Sequence, residues 1–290
     1  HWLAECQRCD KPYTLHQKQQ LLICHHCGSQ KRIPPQCPCC GSVRIAPLGQ
    51  GTEQLESRLE ELFPDSSIVR IDRDSTRKKG ELAKLLQEVS DKKHQLLVGT
   101  QMLAKGHDFS NLSFVGILDV DVGLLSLDFR ATEHLAQLLI QVSGRAGRSD
   151  HKGEVSIQTH YPNHPIFDFI KSSHYTQYAS TLLKEREKTQ LPPYSHQALI
   201  CANSKNKNNA EKFLNEVADL LNNIDIDSVE VWGPVPAVIE KKANYYYFNL
   251  YLQSINRNQL HRVIKTFYKH LETIKINSSV RWFLDVDPID

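Results

Sequence analysis

"QLLVGTQMLAKGHDF", residues 95–109, sets a nearly continuous apolar run against a polar stretch punctuated by glycine. The first part, "QLLVGT", has the length and composition of a strand buried on both faces. What leaves it is a loop carrying Thr100, Gln101, Lys105, Gly106 and Asp108, which needs an exposed position. Upstream, "QLESRLEELF" places Leu55, Leu59, Leu62 and Phe63 on one helical stripe, "SIVRID" is a short strand, and "ELAKLLQEV" repeats the stripe with Leu82, Leu85, Leu86 and Val89. Downstream, "FVGILDVD" and "EVSIQTH" are further candidate strands. Apolar strands alternating with amphipathic helices predict an α/β layer architecture around a parallel sheet. Ligands of such sheets bind beyond the carboxyl ends of the strands.

That rule selects three loops. One is "GQGTE", residues 49–53, where glycines ahead of a helix read either as a phosphate contact or as a plain helix-starting turn. The second is the loop at 99–109. The third ends "ATEHLAQLLIQVSGRAGR", in which Leu135, Leu138, Leu139 and Val142 recur at helical spacing, leaving Gln141, Arg145 and Arg148 at or just past the helix end. Two guanidiniums three residues apart fit the charge of a transferring phosphoryl group; solvated surface arginines are the plainer alternative.

Seven of the eight cysteines lie in the first forty residues, six of them in the C-x-x-C pairs Cys6/Cys9, Cys24/Cys27 and Cys37/Cys40. Two such pairs close a tetrahedron of thiolates around Zn²⁺, and the stretch between the first two, "DKPYTLHQKQQLLI", reads as a short hairpin. Disulfides would need an oxidising compartment for which nothing else argues. The third pair lacks partners. Either a fourth pair precedes His1, which agrees with the abrupt start of the chain, or Cys39, His25 or His26 completes the site. Cys201, in "ALICANS", reads as a small core residue of a strand.

The 290 residues, with a formal net charge of +2, 40% hydrophobic and 23% charged, describe an ordinary globular chain rather than a strongly basic nucleic-acid binder. No apolar run reaches bilayer length and no leader pattern is present, so the cytoplasm is the expected location, with no membrane partner. The last third reads as a small α+β domain: a strand over "QALICA", a helix over "AEKFLNEVADLL", the segment "EVWGPVPAVIEKK", a strand over "YYYFNLYLQ" and a helix from Asn258 to Thr273. In the tyrosine strand Tyr246, Phe248, Leu250 and Leu252 face one way. Tyr245, Tyr247, Asn249 and Tyr251 face the other, as a half-buried face or as a stacking platform for single strands.

In order and spacing the three loops resemble motifs IV, V and VI of superfamily 2 helicases, "QVSGRAGR" being close to Q-x-x-G-R-x-G-R. Together with the cysteine pairs, "LDVDVGLLSLDFRATE" and the terminal "WFLDVDPID", the chain is similar to the primosomal replication-restart DNA helicases. That resemblance implies a RecA-like second lobe (47–173), preceded by a cysteine-rich zinc region truncated at its start (1–46) and followed by a small C-terminal DNA- and partner-binding domain (174–290). It implies an ATP-dependent 3′ to 5′ DNA helicase that restarts replication at stalled or branched forks by primosome assembly. Arg145 and Arg148 become arginine-finger candidates with Gln141 positioning them. Gly106 and Asp108 belong to the loop coupling nucleotide state to DNA, while Thr100, Gln101 and Lys105 are DNA-backbone candidates. The implied zinc arrangement is nested: Cys6, Cys9, Cys24 and Cys27 hold the inner ion, and Cys37 with Cys40 shares an outer one with an upstream pair. Implied partners are branched and single-stranded DNA, single-strand DNA-binding protein and other primosome proteins. Neither G-x-x-x-x-G-K-[ST] nor an Asp-Glu dipeptide occurs in the chain, so ATP and Mg²⁺ would be held only with a first lobe, and this piece alone is expected to hydrolyse no ATP. A non-enzymatic zinc-ribbon scaffold is the alternative; it explains the cysteines but not "QVSGRAGR".

Overall fold

The computed structural model describes the chain apart from residues 1, 17–18, 47–50, 73, 77, 105–111, 127, 145–152, 173, 224–227, 272–273, 275 and 290. Its cysteine-rich start forms a three-stranded antiparallel sheet of β1 (Thr14–His16), β2 (Leu21–Ile23) and β3 (Gln30–Arg32). Thr14 pairs with Ile23 and His16 with Leu21, the hairpin expected between the first two cysteine pairs. The chain divides into two compact units, 48–183 and the combination of 1–47 with 184–290.

The unit 48–183 is the alternating array. Helix α1 (Thr52–Leu62) leads to β4 (Ile68–Ile71), α2 (Glu81–Ser90) and β5 (Leu96–Gly99), and β4 and β5 pair in parallel. Then come β6 (Phe114–Ile117), the single turn α3 (Asp121–Leu124), α4 (Ala131–Ser143) and β7 (Glu154–Ile157), with β6 and β7 forming a second parallel pair. Helices α5 (Pro165–Lys171) and α6 (Tyr175–Lys188) complete the unit, and α6 carries the chain onward. The buried stripe of α4 is Leu135, Ala136 and Leu139, packed with Val120, Ile166, Phe167 and Tyr178. Leu62 and Phe63 depart from the expected stripe of α1 and are exposed; Phe63 is the C-cap, and its φ of −130° takes it off the helix. The run at 114–121 gives a strand of only four residues, because Asp119 turns the chain with φ 55° before α3 begins.

Gly99, where β5 meets the loop at 100–104, has a steric reason to be glycine. A Cβ there would sit 2.5 Å from the Ile71 carbonyl oxygen of β4 and overlap Leu103 Cδ1. Since backbone cannot swing aside as a side chain can, Gly99→Ala is expected to cost about 1–3 kcal/mol. A depressed thermal midpoint would show this, and an unchanged one would refute it.

The C-terminal domain runs β8 (His196–Ser204), α7 (Lys207–Asn222), β9 (Glu230–Lys242), β10 (Tyr245–Ser254), α8 (Arg257–His270) and β11 (Arg281–Val286). The sheet order β11-β8-β10-β9 with antiparallel neighbours is the split βαβ arrangement. Its core joins Ala198, Ile200 and Ala202 of β8 with Phe248, Leu250 and Leu252 of β10 under Phe213, Leu214, Val217, Leu260, Val263 and Phe267 of the two helices. The face expected for the tyrosine strand is thus the buried one. On the other face Tyr245, Tyr247 and Tyr251 are half-buried. Cys201 is buried in β8, and burial pushes its thiol up to about 11. Among the described residues no helix is long and apolar enough to cross a membrane.

Candidate functional site

The cysteine cluster is built from two tight turns facing each other. In the first, the Cys6 N–H donates to the Lys11 carbonyl at 2.9 Å; in the second, the Cys24 N–H donates to Ser29 at 2.9 Å and the Gly28 N–H to Cys24 at 2.8 Å. Gly28 takes φ +71°, which lets the second turn fold back under its two sulfurs. The Sγ atoms of Cys6, Cys9, Cys24 and Cys27 all lie within 4.8 Å of one another, and Cys6 and Cys27 are 3.8 Å apart. A tetrahedral ion with zinc–sulfur bonds of about 2.3 Å requires sulfurs about 3.8 Å apart, so the four residues fit one structural zinc. All are free thiols.

Burial of three of the four makes the cluster the core of its module: Cys6, Cys9 and Cys24 pack together with Tyr13 and Cys27. Burial pushes the Cys9 thiol up to about 12, opposed by a hydrogen bond from the Ala243 N–H, and pushes Cys24 up as well. Burial also acts on Cys6, but hydrogen bonds from the Arg8 N–H and from Cys24, Tyr13 and Cys27 outweigh it and lower that thiol to about 7. Cys6 is therefore the readiest of these three to ionise near neutrality, while Cys9 and Cys24 give up their protons to a cation.

Cys37 and Cys40 form a third turn of the same build. The Cys37 N–H donates to Ser42 at 2.7 Å, the Gly41 N–H to Cys37 at 2.9 Å, and Gly41 has φ +68°. The shared pattern was visible as "CHHCGS" at 24–29 against "CPCCGS" at 37–42, a repeat that the C-x-x-C spacing alone understates. Among the described residues no metal-binding group joins Cys37 and Cys40 to further ligands. His25 instead faces His16, their Nε2 atoms 3.2 Å apart.

In the alternating unit, Thr100 directly follows β5, and Gln101 opens a short 3-10 turn (Gln101–Ala104) that packs against α4. Gln141 lies exposed in the last turn of α4, whose C-cap is Gly144. These three belong to the neighbourhood of one strand end and one helix. Lys105, Gly106, Asp108, Arg145 and Arg148 lie outside the described residues.

Two aspartates that sequence reasoning left without a role close the strand ends. Asp72, after β4, accepts from the Thr52 hydroxyl at 2.6 Å and from the N–H groups of Asp74 and Ser75, with Arg70 at 3.4 Å. Burial alone would raise its carboxyl, but Thr52, Ser75 and Arg70 hold it lowered. Asp72 thus bonds the side chain of the first residue of α1, while Gly49 and Gln50 of "GQGTE" lie outside the described residues. Asp121, after β6, accepts from the Thr159 hydroxyl and from the His160 N–H at 2.9 Å, with His160 Nδ1 at 2.7 Å; the Thr159 bond leads in lowering its pKa. It ties the ends of β6 and β7 together. The signal available for both was an aspartate interrupting an apolar run, in "IVRID" and "ILDVD".

Three family models match in succession: the PriA DNA helicase Cys-rich region over 6–32, the helicase conserved C-terminal domain over 46–150, and the primosomal protein N C-terminal domain over 187–289. The chain is 49% identical to replication restart protein PriA of Haemophilus influenzae over 289 residues, which is 100% of this chain and 39% of that protein. It is 36% identical to the protein of the same name from Synechocystis sp., with 99% of this chain and 34% of the relative covered. The corresponding protein of Bacillus subtilis is 33% identical, with 99% and 36% covered. The chain thus spans less than half the length of these curated relatives. With its thiolate cluster, its second-lobe loops and its C-terminal domain matched in that order, the chain belongs to the replication restart protein PriA family and corresponds to its C-terminal part.

Proposed function

We propose that this chain is the second RecA-like lobe, with the zinc module and C-terminal domain, of an ATP-dependent 3′ to 5′ DNA helicase that recognises stalled or branched forks and restarts replication by primosome assembly. The observation that carries the reading is the helicase C-terminal match over 46–150, flanked by matches to the cysteine-rich region and C-terminal domain of one family. A zinc scaffold without a motor leaves that central match unaccounted for.

In this reading Arg145 and Arg148, which follow α4 in the sequence, meet phosphates held by a first lobe, where two guanidiniums offset charge that develops during transfer. Gln141, in the preceding helical turn, positions them. Thr100, Gln101 and Lys105 hold the DNA backbone beyond β5, and Gly106 and Asp108 link that grip to the nucleotide. Contacts to phosphate fix register without reading sequence, as a fork enzyme requires. The inner zinc is structural, since four thiolates leave no open position, and Cys37 with Cys40 supplies half of an outer site. Without a phosphate loop or an acidic metal motif the chain alone turns over no ATP. The three parts act as the 1–46, 47–173 and 174–290 regions of a cytoplasmic protein, engaging single-strand DNA-binding protein and other primosome proteins.

The C-terminal sheet supports fork contact. Tyr245 of β10 has the Arg281 guanidinium 5.5 Å and the Lys205 ammonium 5.9 Å from its ring centre, a combination of aromatic face and cations suited to an unpaired strand. Fluorescence anisotropy of a labelled fork against matched duplex, titrated with this chain at two salt concentrations, tests the assignment. Tighter, salt-sensitive fork binding is expected. Equal binding to fork and duplex would remove branch recognition from this part of the protein.

A further inference from the structure

The tip of the β9–β10 hairpin lies against the first cysteine turn. Ala243 and Asn244, the two residues between the strands, have φ 52° and 65°, a turn in which both central residues are left-handed. Neither is glycine, and alanine is poorly suited to that region, so the conformation is held by what it touches. The Ala243 N–H donates to Cys9 Sγ at 3.3 Å and the Asn244 N–H to the Arg8 carbonyl at 2.9 Å. On the β9 side, the Asp10 N–H donates to the Lys241 carbonyl at 3.0 Å and Lys241 Nζ to the Gln7 carbonyl at 3.0 Å. Four hydrogen bonds thus engage the consecutive residues 7 to 10, one of them ending on a ligand sulfur.

We propose that the Ala243–Asn244 turn, with Lys241, is an outer sphere of the inner zinc site supplied by the C-terminal domain, so that zinc occupancy and order at the β9–β10 tip form one equilibrium. A site of four thiolates and one Zn²⁺ carries excess negative charge, and an N–H aimed at sulfur draws part of it off. A positive Lys241 ammonium on the same turn adds to that field. Reciprocally, the left-handed Ala243 keeps its conformation only while Cys9 and Arg8 stay where the metal holds them. Tyr245, the next residue, then takes its place under Arg281 and Lys205 as a consequence of metal loading. The inference rests on the four-cysteine zinc site and is independent of the helicase reading.

Amide exchange on the intact chain tests it directly. In the zinc-loaded protein the amides of Ala243, Asn244 and Asp10 are expected to be protected. Chelation should strip their protection while amides of α7 and α8 around Leu214 and Phe267 keep theirs. Identical exchange at Ala243 and Asn244 with and without zinc would overturn the proposal. As a second arm, Lys241→Met leaves the strand intact and removes the Nζ bond; zinc transfer to a chelating dye should quicken by about tenfold, the lower end of outer-sphere effects. Ala243→Gly, which keeps the N–H and eases the turn, should release zinc no faster than wild type. An unchanged release rate in Lys241→Met, or faster release in Ala243→Gly, would count against it.

Discussion

Cys24→Ala is expected to unfold the cysteine-rich module and to strip its inner zinc while leaving the C-terminal domain folded. Cys24 is fully buried, and the module has almost no other core: its buried cluster consists of the ligands themselves with Tyr13 beside them. A region this small cannot bury enough apolar surface to hold its shape without a metal. Structural zinc sites bind with about 10–16 kcal/mol, so one thiolate of four corresponds to roughly 3 kcal/mol and a loss of affinity of a hundredfold or more. Metal analysis of the purified variant and amide exchange over residues 2–42 give the readout. Full zinc content in Cys24→Ala would show that other residues hold the ion. The thiol shifts give a sign as well. Cys9, at about 12, and Cys24, also raised, must lose protons to bind, whereas Cys6 at about 7 is partly ionised at neutrality. Zinc affinity should therefore rise with pH through the neutral range and binding should release protons.

The second large effect falls on the opposite unit. In the full-length protein Arg148→Ala is expected to lower kcat for DNA-stimulated ATP hydrolysis by about 10³-fold, the lower end of what an arginine finger contributes. The reason is differential: a guanidinium that meets charge only as the phosphoryl group leaves stabilises the transition state and not the ground state, so kcat falls while KM stays near its original value. Arg145→Ala should act in the same direction. Gln141→Ala, removing a residue proposed to act through the arginines, should cost less.

How far the sequence led can be judged residue by residue. Periodicity located α1, α2, α4, α7 and the strands β4, β5, β7, β8 and β10, because each sits half-buried or buried in an element whose period its side chains must follow. Spacing located the cluster of Cys6, Cys9, Cys24 and Cys27, because a two-residue spacer is a local property of one turn. The strand β9 was hidden by Pro234 and Pro236, which break the ladder pattern; the sheet tolerates them because β9 is an edge strand, bulged against β10. The roles of Asp72 and Asp121 were hidden because their partners Thr52, Thr159 and His160 lie 20 to 39 residues away and leave no periodic trace. The docking of the β9–β10 tip on the first cysteine turn joins residues 234 apart, and nothing local in "KKANYYY" announces it. Gln141, Thr100 and Gln101 stand where the alternation put them, at the ends of a helix and a strand.

The claim that binds these observations together is that the chain supplies one half of a nucleotide-driven motor. DNA-stimulated ATP hydrolysis by full-length Arg148→Ala, measured beside its binding to forked DNA, tests it most directly. Hydrolysis reduced by about three orders of magnitude with fork affinity within a few-fold of wild type is the predicted result. Wild-type hydrolysis in the variant would contradict the account.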